Sequence, residues 1–339
     1  MLDIWFENKI EEKSKEVDTH ESFKTHLKHS KFDDGVLIFA NLLSDKQLLS
    51  GLSLLKSHFH SNCQYQGKLR STNEKFVKQL CYELINQQAY LPVMISRESI
   101  NKTLNQVNDE NCSIKKVFID KKVDLSQCVD DLDHTGYLAV QKHYSQQQHW
   151  ITCEEGSYNF LRLGKLKNQL DVAESIIRDA NYVEFNINSI KFSDLADNIE
   201  APVTGLTIEE ACQLMKYVGS ATNLKFLNVT GYNPNLDNKG KIGECISMLL
   251  WYFIEGRESS TEYFQGLNKT DFQEYLVQPS HLPIALKFFK HNITGQWWVK
   301  LPEELNTEKN IIIACSKRDY FQACNDEVSE RLMQAIAIM

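Results

Sequence analysis

From residue 35 onward, short apolar runs alternate with longer amphipathic stretches, and few architectures satisfy that alternation. A run that is apolar at every position, rather than at every second one, belongs to a strand covered on both faces. Such strands occur in parallel sheets, whose crossover connections lay helices over each face. The runs predict strands at Val36 to Ala40, Leu91 to Ser96, Ile114 to Ile119, Tyr137 to Gln141, Phe160 to Leu163, Tyr182 to Ile187 and Leu224 to Val229. Between them, Leu48, Leu49, Leu52 and Leu55 form one helical stripe, and Phe76, Val77, Leu80 and Leu84 form another. The expected fold is therefore α/β, three layers deep, with a mostly parallel sheet.

Local signals sharpen two helices. Thr207-Ile208-Glu209-Glu210 has the spacing of a capping box, and Ala211, Met215 and Val218 continue it, which predicts a helix over 207–219. Ile242, Ile246, Leu249, Leu250 and Phe253 make the apolar face of the next, with Gly256 placed to end it in a left-handed turn. The tail reads differently. Ile284-Ala285-Leu286-Lys287-Phe288-Phe289 and Ile293-Thr294-Gly295-Gln296-Trp297-Trp298-Val299 predict an antiparallel hairpin. No repeat or flexible linker divides the chain, so residues 1–34 are expected to form a polar arm and residues 35–339 one domain that includes the C-terminal extension.

With 45 acidic against 37 basic residues and a net charge of -8, the chain lacks the basic balance of a nucleic-acid partner. No apolar run approaches the roughly 20 residues that cross a bilayer, and the N-terminus lacks a basic start and long apolar core, so a cytoplasmic protein is expected. Nine cysteines without a Cys-x-x-Cys pair read as free buried thiols. Walker, Gly-x-Gly-x-x-Gly, Gly-x-Ser-x-Gly and His-Glu-x-x-His motifs are absent. His26 and His29 share a helix face without a carboxylate or Cys to complete a metal site, and His134, His143 and His149 read as loop residues. The Trp297-Trp298 pair reads as hairpin packing.

Two polar clusters close predicted strands, Phe118-Ile119-Asp120-Lys121-Lys122-Val123-Asp124 and Phe185-Asn186-Ile187-Asn188. In extended backbone, residues two apart point the same way, so Asp120, Lys122 and Asp124 share one face and Asn186 and Asn188 another. Together with Ala201-Pro202-Val203-Thr204-Gly205-Leu206-Thr207, Tyr232-Asn233-Pro234-Asn235-Leu236-Asp237, Trp251-Tyr252-Phe253-Ile254-Glu255-Gly256 and the Thr294-Gly295-Gln296-Trp297-Trp298 and Asp319-Tyr320-Phe321 segments of the tail, they resemble the ureohydrolase superfamily of arginase, agmatinase and formimidoylglutamase. The formimidoylglutamase-like branch is the most similar, and the resemblance runs from about residue 80 to the end.

The resemblance implies a single arginase-like three-layer domain with two Mn²⁺ ions at the carboxyl ends of the strands, which activate a water for attack on a guanidinium or formimino carbon. It also implies symmetric homo-oligomers. The family's ligand pattern is altered here at slot after slot. Glu98 stands for the His of a Gly-Gly-His loop, Asp120 and Asp124 match two strand-end aspartates, Lys122 replaces the His between them, and Asn186 and Asn188 replace a later aspartate pair. Gly231 falls where relatives carry a substrate-anchoring Glu, while Ser193-Asp194 still matches the family's Ser-Asp. The family's four aspartates supply four negative charges, whereas Glu98, Asp120 and Asp124 against Lys122 leave two. An ammonium about 4 Å from a divalent ion adds roughly 8 kcal/mol of repulsion at an effective dielectric of 20.

The residues therefore predict the ureohydrolase fold without its dimetal centre or catalysis, with no cofactor, the Lys122 ammonium in a metal's place beside Asp120, Asp124 or Glu98, and a role in binding or assembly. Arg97 is expected to pair with Glu98 or hold an anionic ligand, and Asp194 is a second candidate contact. The alternative is an active carbon–nitrogen hydrolase, manganese-dependent if the site is functional, with Asp124 as its catalytic acid. Under either reading the small-molecule partner is an acidic or guanidino metabolite.

Overall fold

The computed structural model describes residues 6, 35–60, 62–87, 90–100, 114–125, 134–156, 159–195, 198–264, 271–282, 285–301 and 312–338. The chain runs through β1 (Gly35–Asn41), α1 (Lys46–Leu54), β2 (Cys63–Lys68), α2 (Glu74–Gln87), β3 (Tyr90–Ser96), β4 (Lys116–Ile119) and β5 (Thr135–Val140). It continues through α3 (Gln147–Gly156), β6 (Phe160–Arg162), α4 (Leu163–Asn168), α5 (Leu170–Arg178), β7 (Tyr182–Asn186), α6 (Ile208–Ser220), β8 (Phe226–Thr230) and α7 (Lys241–Phe264). It ends in β9 (Phe272–Val277), β10 (Leu286–His291), β11 (Trp297–Lys300), β12 (Ile312–Cys315), α8 (Lys317–Cys324) and α9 (Glu330–Ile338).

The first eight strands form one sheet in the order β2-β1-β3-β8-β7-β4-β5-β6, and every pairing in it is parallel. Alternate residues of β1 enter different layers, which is why the strand reads as unbroken apolar sequence. Val36, Ile38 and Ala40 pack with α1, α6 and α7, whereas Leu37 and Phe39 pack with Val77, Leu80 and Leu84 of α2. Phe6 joins the second layer, its ring 5.6 Å from Phe39 and its backbone bridged to Leu69. Chain order reverses between β3 and β4, and β8 and β7 fill the gap. Open α/β sheets hold their ligand crevice at such a switch point, here between the carboxyl ends of β3, β8, β7 and β4.

All seven predicted strands form, within a few residues of their predicted ends. The eighth, β2, is a sheet edge with the polar sequence Cys-Gln-Tyr-Gln-Gly-Lys, whose periodicity carries no apolar signal. The Thr207 capping box is present: the Thr207 hydroxyl accepts from Glu210 N at 3.2 Å, and the Glu210 carboxylate from Thr207 N at 2.8 Å. Gly256 does not end its helix, because α7 runs on to Phe264. Its missing side chain instead lets α6 approach, since a Cβ there would overlap the carbonyl of Lys216.

The predicted hairpin exists as β10 and β11, paired antiparallel with Phe289 opposite Trp298. It is the centre of a four-stranded sheet, β12-β11-β10-β9, whose other two strands the pattern did not announce. α8 and α9 cover it, giving a core of Phe288, Val299, Ile313 and Leu332. Trp297 is buried there, stacked 4.7 Å from Tyr320, as hairpin packing requires. Seven described cysteines are free, six of them buried. Cys112, Cys128, His26 and His29 lie outside the described residues. Among the described residues no helix is long and apolar enough to cross a membrane.

Candidate functional site

The switch point opens into a cavity of about 800 Å³. Its lining includes a polar row at strand ends: Asn41 of β1 and, beyond the intervening β3, Thr230 of β8, Asn186 of β7 and Asp120 just beyond β4. The rows are in register, with Asn41 opposite Ser96 of β3 and Asn186 opposite Thr230. Glu98, Asp120, Lys122, Asp124, Asn186, Asn188, Arg97 and Gly231, drawn from four separate chain segments, all line the cavity.

Of the acids expected beside Lys122, the structure pairs it with Asp124 and leaves Asp120 to an amide. Asn186 Nδ2 donates to Asp120 Oδ2 at 2.9 Å, so an amide rather than the Lys122 ammonium holds that carboxylate. Lys122 turns outward, half-exposed, with its Nζ 3.9 Å from Asp124 Oδ2. The cause is backbone geometry: β4 ends at Ile119, residues 120–122 form a bend, and the two-residue alternation lapses beyond the strand end. Asn186 likewise closes β7, and Ile187–Ser189 is a single 3₁₀ turn capped by the bond from Asn188 N to Asn186 Oδ1 at 2.9 Å. Asn188 Nδ2 then donates to Glu200 Oε2 at 3.0 Å, and Asn198 Nδ2 to Asn188 Oδ1 at 2.7 Å. Burial pushes the Asp120 carboxyl up, against the pull of the Asn186 amide and the nearby lysines.

Gly231 adopts φ +86°, and a Cβ there would lie 2.5 Å from Asn186 Oδ1 and 3.0 Å from Asn188 Nδ2. The amides thus occupy the space that a side chain at 231 would need. Arg97 and Glu98 are both exposed on the cavity lining, and among the described residues no ion pair joins them. Asp194 does not face the cavity. Its Oδ2 accepts from Ile208 N at 3.0 Å at the start of α6, and its Oδ1 from Ser193 at 2.9 Å with Lys191 at 3.3 Å. Burial works to raise that carboxyl, and these donors outweigh it and hold it low. The histidines stay out of the cavity wall: His149, read as a loop residue, lies in α3, where its Nδ1 accepts from Leu125 N, and the His143 ring lies against Tyr144.

Below the floor lies a network that the motifs did not mark. Glu184 of β7, 7% exposed, accepts at Oε2 from Tyr182 at 2.6 Å, Ser99 at 2.8 Å and Asn228 at 3.3 Å, and Asn228 Oδ1 in turn accepts from Ser96 at 3.0 Å. Burial pushes the Glu184 carboxyl up to about 7, with Asp120 adding to the rise and the three donors opposing it. A lone acid inside the apolar run Tyr182-Val183-Glu184-Phe185, two residues before Asn186, was the available signal.

No family model matches the chain, and no curated protein does either. Solved structures do. The formiminoglutamase of Trypanosoma cruzi with Mn²⁺ superposes with a TM-score of 0.61 at 12% identity, over 70% of this chain and 98% of that one. The formimidoylglutamase of Bacillus subtilis gives 0.61 at 12% identity over 75% and 97%, and the agmatine ureohydrolase of Thermoplasma volcanium 0.55 at 13% over 68% and 92%. These likenesses establish the fold, which is that of the arginase-like ureohydrolases with a separate antiparallel sheet at the C-terminal end.

Proposed function

We infer that this chain descends from the formimidoylglutamase-like branch and uses the metal cleft of the ureohydrolase fold as a metal-free binding site, without hydrolytic activity. The observation that carries the reading is the 2.9 Å bond from Asn186 Nδ2 to Asp120 Oδ2, in which an amide hydrogen occupies the carboxylate oxygen a metal would need. A dimanganese centre fits this donor set poorly. Asn188 spends its amide on Glu200, the Lys122 ammonium faces Asp124, and among the described residues no three His, Cys, Asp or Glu side chains are grouped to hold a metal ion. Gly231 supports the same reading, because the Asn pair and a side chain at 231 compete for one volume.

The test is metal content after purification in excess Mn²⁺, with turnover of formiminoglutamate, arginine and agmatine measured alongside. The expected result is no retained Mn²⁺ and no turnover, with uptake appearing in the combined Glu98→His, Lys122→His, Asn186→Asp, Asn188→Asp variant. Two tightly held equivalents per wild-type chain, with turnover lost on Asp124→Ala, would overturn it.

A further inference from the structure

A strand at the rim of a sheet turns half of its backbone groups toward whatever lies beyond it, and folded proteins guard such edges with bulges, charges, short strands or covering side chains. Of the four edges of the two sheets, three are guarded in this way. β2 carries an extra residue between Tyr65 and Lys68, ends on that lysine, and has Phe6 bridged to Leu69 just past it. β6 is three residues long. Along β12, Asp179 accepts from Ala314 N at 2.9 Å, and Arg331 and Arg178 donate to the carbonyls of Ala314 and Cys315 at 3.0 and 3.2 Å.

The fourth edge, β9, has none of these devices. Its sequence Phe-Gln-Glu-Tyr-Leu-Val contains no Lys, Arg or Pro, and all six residues pair with β10 in unbroken register. Asn292 N donates to Asp271 O at 2.8 Å, which makes 271 and 292 a hydrogen-bonded pair. The alternation of an antiparallel ladder then turns the N–H and C=O groups of Phe272, Glu274 and Leu276 away from β10. Among the described residues nothing bonds to those groups. The same three side chains share the face turned away from α8 and α9, because Tyr275 and Val277 pack into that core. Leu276 is 74% exposed there, Glu274 is held by Lys287 at 2.6 Å, and the Phe272 ring lies 5.5 Å from that of Trp298.

We propose that β9 is an interface for a second copy of this chain, the two β9 strands pairing antiparallel about a two-fold axis so that the C-terminal sheets of both copies become one. The strand is complementary to itself. With Glu274 at the axis, the outward groups of one copy meet those of the other, and Phe272 of each stands opposite Leu276 of the other, which covers the exposed leucine at both ends. Each carboxylate at the axis keeps its own Lys287, so the central row Lys–Glu–Glu–Lys is neutral. The single charged side chain of β9 is already paired, and the edge therefore holds no charge to select an acidic or a basic partner.

The inference is independent of the metal content of the cleft. Its test is sedimentation velocity on a dilution series of the full chain, with amide exchange of residues 272–277 followed at both ends of the series. The expected result is a concentration-dependent species of twice the 39.2 kDa chain mass, with exchange across the segment slowed about tenfold or more at the concentrated end. Glu274→Pro removes one outward N–H and leaves the ladder to β10 whole, as edge strands tolerate, whereas Leu276→Lys sets a charge against Phe272 of the other copy. Each variant is expected to sediment as a monomer, with circular dichroism confirming the fold. Leu276→Lys changes a side chain that is already exposed, so it stays informative if the proline is not accommodated. A wild-type chain that remains monomeric throughout, or a dimer that Leu276→Lys leaves intact with unchanged exchange in 272–277, overturns the proposal.

Discussion

Glu184 shows how a single buried side chain ties the cleft to the stability of the whole chain. Its carboxyl is pushed from the usual 4.5 up to about 7 by burial, so the folded protein holds a proton there that the unfolded chain releases. A raised carboxyl contributes its full stability below about pH 4.5 and loses it as pH rises through 7. The difference amounts to about 3 kcal/mol, from roughly 1.4 kcal/mol for each pH unit between the two values. Urea titrations between pH 5 and 8 are expected to show wild-type stability falling by about that amount, while Glu184→Gln, which keeps the shape and cannot ionise, loses the Glu184 share of the slope. An identical slope in both proteins would contradict the assignment. Asp120, also pushed up by burial and coupled to Glu184, leaves a smaller slope of the same sense in the variant. At this scale the sequence was informative about chemical type and left the pairing among alternatives. It identified Asn186, Asn188 and Asp120 as one group, but the choice of Asn186 over Lys122 as the partner of Asp120 depends on a bend three residues long.

Among the helices, α6 and α7 approach closely at two glycines that the sequence could not assign to packing. A Cβ at Gly219 would overlap the carbonyl of Phe253, and one at Gly256 the carbonyl of Lys216, so each glycine serves the other helix's backbone. Position 256 reads as a helix stop on local rules, because glycine after an apolar periodic stretch usually is one. The tertiary contact overrides the local preference: α7 gains two more turns on the strength of the face it buries against α6. Gly256→Ala, favourable in an isolated helix, is therefore expected to destabilise the protein by about 1–3 kcal/mol through overpacking, read as a lowered thermal midpoint. A raised midpoint would show that the helices separate freely at this crossing.

Across the whole molecule, two buried guanidiniums join the two sheets: Arg331 bridges the Ala314 carbonyl and Asn159, and Arg178 makes the larger set of contacts. Arg178, the last residue of α5, donates from Nη1 to the Trp297 carbonyl at 3.1 Å and from Nη2 to the Cys315 carbonyl at 3.2 Å, pairs with Glu174 at 2.9 Å, and lies 4.5 Å from the Trp298 ring centroid. Asp179 adds a bond from Ala314 N at 2.9 Å. Replacing Arg178 with Met keeps apolar volume but strips two carbonyls and Glu174 of their donor. The expected cost is about 3 kcal/mol, with faster amide exchange in β11 and β12 than in β1 or β3. Uniform exchange across both sheets would argue against this residue as a joint between them.

Taken alone, the sequence determined the layered parallel architecture, because burial on both faces writes each central strand as an unbroken apolar run, and it determined which residue types stand at the strand ends. It also carried the resemblance to the ureohydrolases at an overall identity near 12%. Only the tertiary structure decided the polar edge strand β2, the two outer strands of the C-terminal sheet, and the network that joins Ser96 to Asn228 and Glu184 across more than a hundred residues of chain. The physical reason is one of range. Periodicity records which side of an element is dry and is set within a few residues, whereas the partner of a buried polar group is set by whichever strand the topology places beside it.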